Sequence, residues 1–228
     1  MSSSAFGDLR ARLDEVRTLS ALDPARSGDV SQPSVSNAVN RAAIVLLTAH
    51  VEGYLEDLVS EALDQFVANA APVERLPLLL RALHAEHHLR QIEPMSDRNV
   101  RAPRIAKMFA AEAPMWTTGT LAQAHMIQAR LVCAEMSNPG SREIAAFLEL
   151  IGVRIEDYLA GIGASASLSQ IDGLVHRRNQ IAHGEANATG AFGDVDTYLG
   201  IVGALAHHID SAVAGVVQTI CGLGAEPW

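Results

Sequence analysis

One run of nine residues concentrates the groups that can do acid–base and phosphate chemistry: His176-Arg177-Arg178-Asn179-Gln180-Ile181-Ala182-His183-Gly184. A guanidinium grips a phosphate and its growing negative charge through two parallel hydrogen bonds. An imidazole is a side-chain type that titrates near neutrality, so it can take the proton of a ribose 2′-hydroxyl or protonate a leaving oxygen. Arg178 and His183, four residues between them, supply two parts of an RNA-cleaving site. On a regular helix they stand about 140° apart around the axis and about 7.5 Å apart along it. Asn179 and His183, at i and i+4, share a face. The arginine must therefore reach around the helix, or the histidine must sit in a relaxed last turn beside Gly184. The spacing is common by chance. Its plain alternative is a surface arginine with a histidine that complements the negative end of a helix dipole.

The elements that must carry this run are helical. Phe6, Leu9, Leu13, Val16 and Leu19 recur at steps of three and four, one apolar stripe on an N-terminal helix. Asp23-Pro24 and the polar run Ser27 to Asn37 read as a loop. A long helix is predicted from Val39 to Val67, with Val39, Ala43, Leu47, Val51, Tyr54, Leu58, Ala62 and Phe66 as its stripe. Further helices are predicted over Leu78–Ile92, Leu121–Met136, Ser141–Leu150, Val153–Leu159 and Val195–Ile220. Pro94 and Pro103 bracket a less regular stretch, and Pro114 to Gly119 reads as a turn. Ser167-Leu168-Ser169-Gln170 fits a capping box opening the helix that bears the chemical run, which Gly184 would end. No alternating strand pattern, internal repeat or dividing linker appears, so the expected class is all-α. The expected organisation is an N-terminal helix and loop over 1–37 followed by one helical domain over 38–228.

Composition narrows the function. The 228 residues carry 17 basic and 26 acidic side chains, a formal charge of −9, with Lys107 the one lysine. That balance argues against a general nucleic-acid-coating protein, whose affinity comes from neutralising phosphates, and leaves room for a local basic cleft. Cys133 and Cys221 form no CxxC and no zinc-finger spacing, which suits a reducing compartment. The first 20 residues mix charge with apolar groups and lack a signal-peptide core. Apolar runs such as Ala42–Leu47 and Leu76–Leu80 fall far short of the about 18 residues that span a membrane. A soluble, cytoplasmic protein is expected, in which the Asn187-Ala188-Thr189 sequon carries no glycan.

The stretch Arg178-Asn179-Gln180-Ile181-Ala182-His183, followed by Gly184 and preceded by Leu174-Val175-His176-Arg177, resembles the ribonuclease motif of the HEPN superfamily. The segment Ala43-Ile44-Val45-Leu46-Leu47-Thr48-Ala49-His50-Val51-Glu52-Gly53-Tyr54-Leu55 resembles the first core helix of the RiboL–PSP-associated branch of that superfamily. Together the two cover residues 38 to 220. The resemblance implies a HEPN-like helical bundle and a metal-independent endoribonuclease of a toxin or antiviral, abortive-infection type. Two subunits would face each other across a shared cleft, and an antitoxin or defence-system protein is a possible partner. By the same resemblance His183 would be the acid/base group and Arg178 would bind the scissile phosphate. Asn179 would orient His183 or the backbone, and no cofactor or metal would be needed. A catalytically silent interaction or nucleotide-binding module with the same fold is the alternative.

Other residues carry weaker signals. Arg98, Arg101, Arg104 and Lys107 recur every three residues, a track for RNA phosphates to which Arg177 can be added, or else a solvated helix face that Pro103 interrupts. His84 and His88 have the i,i+4 spacing of zinc ligands, but no third ligand stands out. His207-His208 could approach the Arg178/His183 end, and Glu52 or Glu56 could pair with Arg177 or Arg178. No phosphate-binding glycine loop or serine-hydrolase elbow is present in the sequence.

Overall fold

The structure, a computed structural model, describes residues 2–185 and 188–228. The elements are α1 (Ser4–Ser20), α2 (Pro33–Ala68), α3 (Leu78–Ile92), α4 (Arg98–Trp116), α5 (Ala129–Cys133), α6 (Ser141–Glu149), α7 (Ile155–Gly161), α8 (Ala166–Ser169), α9 (Ile171–Ala182) and α10 (Phe192–Cys221). Short 3₁₀ turns lie at Pro24–Ser27 and Val73–Arg75. Beyond one isolated bridge pair, Pro72 with Leu121, the described residues contain no β-structure. The protein is all-α.

Two compact units divide the chain. The first comprises Met1–Leu58, Met136–Ala145 and Ile155–Ser211, so residues on both sides of position 37 belong to it. Its core follows from the apolar stripes. Leu9, Leu13 and Val16 of α1, Ile44, Leu47 and Tyr54 of α2, Ile171 and Leu174 of α9, and Val202, Leu205 and Ile209 of α10 are all buried. Removing one such side chain from water is worth about 2 kcal/mol. The Tyr54 hydroxyl meets its need for a partner by donating to the Ala206 carbonyl at 2.9 Å. Ser3 caps α1 by accepting from the Phe6 amide at 3.0 Å, while its hydroxyl donates to the buried carboxylate of Asp210.

The second unit comprises Val59–Glu135, Ala146–Arg154 and Ala212–Trp228. Leu63 and Phe66 of α2, Leu80 of α3 and Val217 of α10 are buried in it. The Val73 amide donates to Thr120 O at 2.9 Å and the Ala122 amide to Ala71 O at 2.8 Å.

The structure departs from the sequence reading at specific places. The long helix starts at Pro33 rather than at Val39, because proline at a first helical position loses no bond and its φ is already helical. α4 runs straight through Pro103 and Pro114. The Asp97 carboxylate caps its first turn by accepting from the Asn99 amide at 2.8 Å, and Glu112 reaches His88 of α3 at 3.3 Å. The helix predicted over 121–136 shrinks to the five residues of α5. Residues before it instead satisfy their backbone through partners elsewhere, including Gln128 N–H to the ring of His84 at 2.9 Å. The expected capping box does not form: Ser167 lies inside α8, and Gln170, with helical dihedrals, joins α8 to α9 without a side-chain cap.

α10 carries only Asp194, Asp196 and Asp210 as charged residues, and it is long and apolar enough to cross a membrane by length and composition. Apolar runs alone do not reveal this. Half of its most apolar window is buried inside the protein, as in a core helix. Asn187 of the sequon lies outside the described residues.

Candidate functional site

α9 positions the chemical run. Its inner face, Ile171, Leu174 and Val175, is buried, and this sets which residues face outward. The start of the helix is tied to α6: the Asp172 carboxylate accepts from both the amide and the hydroxyl of Ser141, each at 2.7 Å. Its end is a Schellman motif. His183 is the C-cap with φ −78° and ψ −1°, and Gly184 follows in the left-handed region at φ 71°. The Gly184 amide donates to Ile181 O at 3.1 Å and the Glu185 amide to Gln180 O at 3.1 Å. These two bonds satisfy carbonyls that a helix end leaves open, and glycine takes the positive φ without a Cβ penalty.

The backbone of His183 is thus fixed while its side chain is exposed. Arg177, Arg178 and Asn179 are half-buried, and His176 is exposed. Arg178 Nη1 donates to Asn179 Oδ1 at 3.0 Å. Asn179 also serves the histidine, but through its backbone, where its carbonyl accepts the His183 amide at 2.9 Å. The carboxamide oxygen therefore steers the guanidinium, and the i,i+4 pairing with His183 runs along the main chain. Because the helix is regular to its cap, Arg178 and His183 keep an angular offset of about 140°. One α9 end thus presents a guanidinium and an imidazole on different sides, and no hydrogen bond joins the two side chains among the described residues.

The other sequence candidates fall elsewhere. Arg98, Arg101, Arg104 and Lys107 are all exposed along α4, in the second unit. Residues three apart drift by about 60° per step on a helix, so these four wind around half of its circumference. His84 is a structural residue. The Gln128 amide can only donate, so His84 Nε2 accepts, and its Nδ1 carries the hydrogen that goes to Leu80 O at 2.9 Å. With both ring nitrogens committed, His84 cannot act as a ligand beside His88. Among the described residues no group of three or more His, Cys, Asp or Glu side chains is placed to hold a metal. His207 packs its ring against Phe6, centroids 6.0 Å apart, rather than against the α9 end. Neither Glu52 nor Glu56 forms an ion pair with Arg177 or Arg178 among the described residues. Burial, together with the charges of Glu52 and Asp57, pushes the Glu56 carboxyl above its ordinary value.

Sequence reasoning missed the residues that hold the segment after His183. The Gly190 amide donates to Asn37 Oδ1 at 2.9 Å. A Cβ at Gly190 would lie 3.0 Å from the Arg41 amide nitrogen and from Asn40 Cβ, so only glycine lets the chain pass so close to α2. A glycine a few residues beyond the motif and two asparagines opening a helix were the available signals, and neither names a partner. Comparison of the chain with protein-family models, with curated proteins and with solved structures found no match.

Proposed function

We propose that the protein is a metal-independent endoribonuclease acting in the cytoplasm, with Arg178 and His183 as its chemical groups. One observation carries the reading: an exposed imidazole on a rigid Schellman-capped helix end, with an arginine five residues back whose guanidinium is oriented by its neighbour Asn179. In the reaction the ribose 2′-oxygen forms a bond to phosphorus, the bond from phosphorus to the 5′-oxygen breaks, and a 2′,3′-cyclic phosphate remains. A base takes the 2′-hydroxyl proton and an acid protonates the departing 5′-oxygen. Arg178 would hold the non-bridging oxygens and their growing charge. His183 would perform one of the two proton transfers. The second needs another group, and the His183 of a second copy across a dimer cleft supplies it. The toxin or defence role, held in check by a partner protein, belongs to the same proposal.

A second reading, a non-catalytic helical binding module, is favoured by the partner of Asn179: its carboxamide oxygen goes to Arg178, and the imidazole has no orienting side chain within its own subunit among the described residues. The two separate in one assay. Labelled RNA is incubated in EDTA with the wild type and with His183→Ala, and product ends are read. Cleavage that leaves cyclic phosphates and vanishes in the variant is expected. A folded wild type that leaves the RNA intact would turn the reading to the binding module, and a variant that cleaves equally well would take His183 out of the chemistry.

A further inference from the structure

Net charge is shared unevenly between the two units. The first carries 8 basic and 16 acidic residues and the second 9 and 10, and within the second residues 98–130 hold Arg98, Arg101, Arg104, Lys107 and Arg130 against Glu112 alone. Two open grooves run along α3 in that second unit. The larger, about 540 Å³, lies between α3 and α5 and is walled by His87, Arg90 and Arg130, with Glu135 its one acid. The smaller, about 170 Å³, lies between α3 and α4 and is walled by His88, Arg104 and Lys107. Neighbouring residues of α3 thus serve opposite grooves, and α3 is the ridge between them.

These cations are not spent on the fold. Arg104, Lys107 and Arg130 form no ion pair among the described residues. Arg90 touches Glu86 at 3.4 Å, an exposed i,i+4 pair worth a few tenths of a kcal/mol. Of the acids beside the α4 track, Asp97 is spent on capping the helix at the Asn99 amide, 2.8 Å away, and Glu112 is taken up by His88 at 3.3 Å. A site for one small anion gathers its donors around a point. Here they are spread over two grooves with a ridge between, which suits a chain of phosphates.

We propose that the α3–α4–α5 face of the second unit binds single-stranded RNA along its phosphate backbone. The choice of RNA among polyanions rests on the ribonuclease reading; the charge argument does not. The test is fluorescence anisotropy of a short labelled single-stranded RNA, in EDTA, with the full chain carrying His183→Ala so that no cleavage intervenes. Arg104→Gln, Lys107→Gln and Arg130→Gln are combined in one variant. Arg10→Gln, Arg17→Gln and Arg142→Gln, exposed in the first unit, form a control with the same loss of charge. Three lost phosphate contacts should weaken affinity tenfold or more and reduce the slope of log K against log salt by about 2. The control should keep both within about twofold of its parent. Equal losses in the two variants, or a parent that does not bind, would overturn the proposal. Circular dichroism checks folding, and Arg130→Gln alone, expected to lower the slope by about 0.7, serves if the triple variant misfolds. A wild type that fails to cleave while the grooves still bind would remove the nuclease reading and leave this surface standing.

Discussion

Two polar clusters in the first unit use their hydrogen bonds in opposite ways. Asp23 is 3% exposed, and its carboxylate accepts from the Ala25 amide at 2.9 Å, the Asn40 amide group at 2.6 Å and the Ser36 hydroxyl. Beside it Arg26 bridges Ser20 O at 2.9 Å and Asp196 at 2.6 Å, with its guanidinium 4.9 Å over the Phe192 ring. At the end of α9 the backbone of His183 is tied down, while its side chain forms no hydrogen bond among the described residues and faces water. A buried carboxylate whose oxygens are taken up within the fold stabilises it and has no capacity left for a ligand, even though Asn40 Oδ1 beside it is buried without a partner among the described residues. An exposed group on a fixed backbone keeps that capacity. The difference is a physical criterion for separating a structural polar cluster from a chemical one.

The comparison breaks most decisively at His183. His183→Ala should lower RNA cleavage by about 10²–10⁴-fold and leave the melting temperature within error; a variant that melts early would make His183 a structural residue. Asp23→Ala should do the reverse. It strands the donors of Ala25, Ser36 and Asn40, so urea unfolding should show a loss of about 2 kcal/mol, while cleavage per folded molecule stays unchanged. An unaltered urea midpoint would show that the cluster is not structural. Gly184→Ala sits between the two. A Cβ at φ 71° costs about 1 kcal/mol, and because it loosens the cap beneath His183 it should reduce cleavage as well as stability.

The smallest effects are in the pH dependence of stability. At Asp23, burial opposes the charge, but the hydrogen bonds from Ser36, Asn40 and Ala25 and the nearby Arg26 outweigh it and hold the carboxyl below its ordinary value. The folded form thus gives up this proton more readily than the unfolded chain. Its contribution is complete above pH about 4 and is lost as pH falls below that. At His50, burial and the Arg12 guanidinium push the imidazole below its ordinary value, against the pull of Glu15 at 3.3 Å. The unfolded chain then binds the proton first, so stability declines as pH drops below about 6.5. Asp23→Asn should flatten the acid limb, and His50→Gln the limb just below neutrality. Chemical denaturation across pH reads both, and an unchanged slope in either variant removes that group from the account.

What could be read from residues alone was what depends on residues close in sequence. The all-α class, the bounds of α3 at Leu78–Ile92 and the buried stripe of α2 from Ala43 to Phe66 follow from a period near 3.6, which every helical turn repeats. The stop at Gly184 was also legible, because a glycine past the last apolar position supplies the positive φ of a Schellman cap. Tertiary structure decided where a local preference met a partner far along the chain. The segment before α5 is not helical, and Gln128 finds its acceptor on His84, 44 residues away. α4 survives Pro103 with its N-cap set by Asp97 and its far end paired to α3. Whether Asn179 steers the histidine or the arginine was likewise undecided by spacing, which defines a shared face but not the rotamer that claims it. Periodicity is local and repeats, so sequence determines it; a hydrogen-bond partner is singular and distant, so only the fold can assign it.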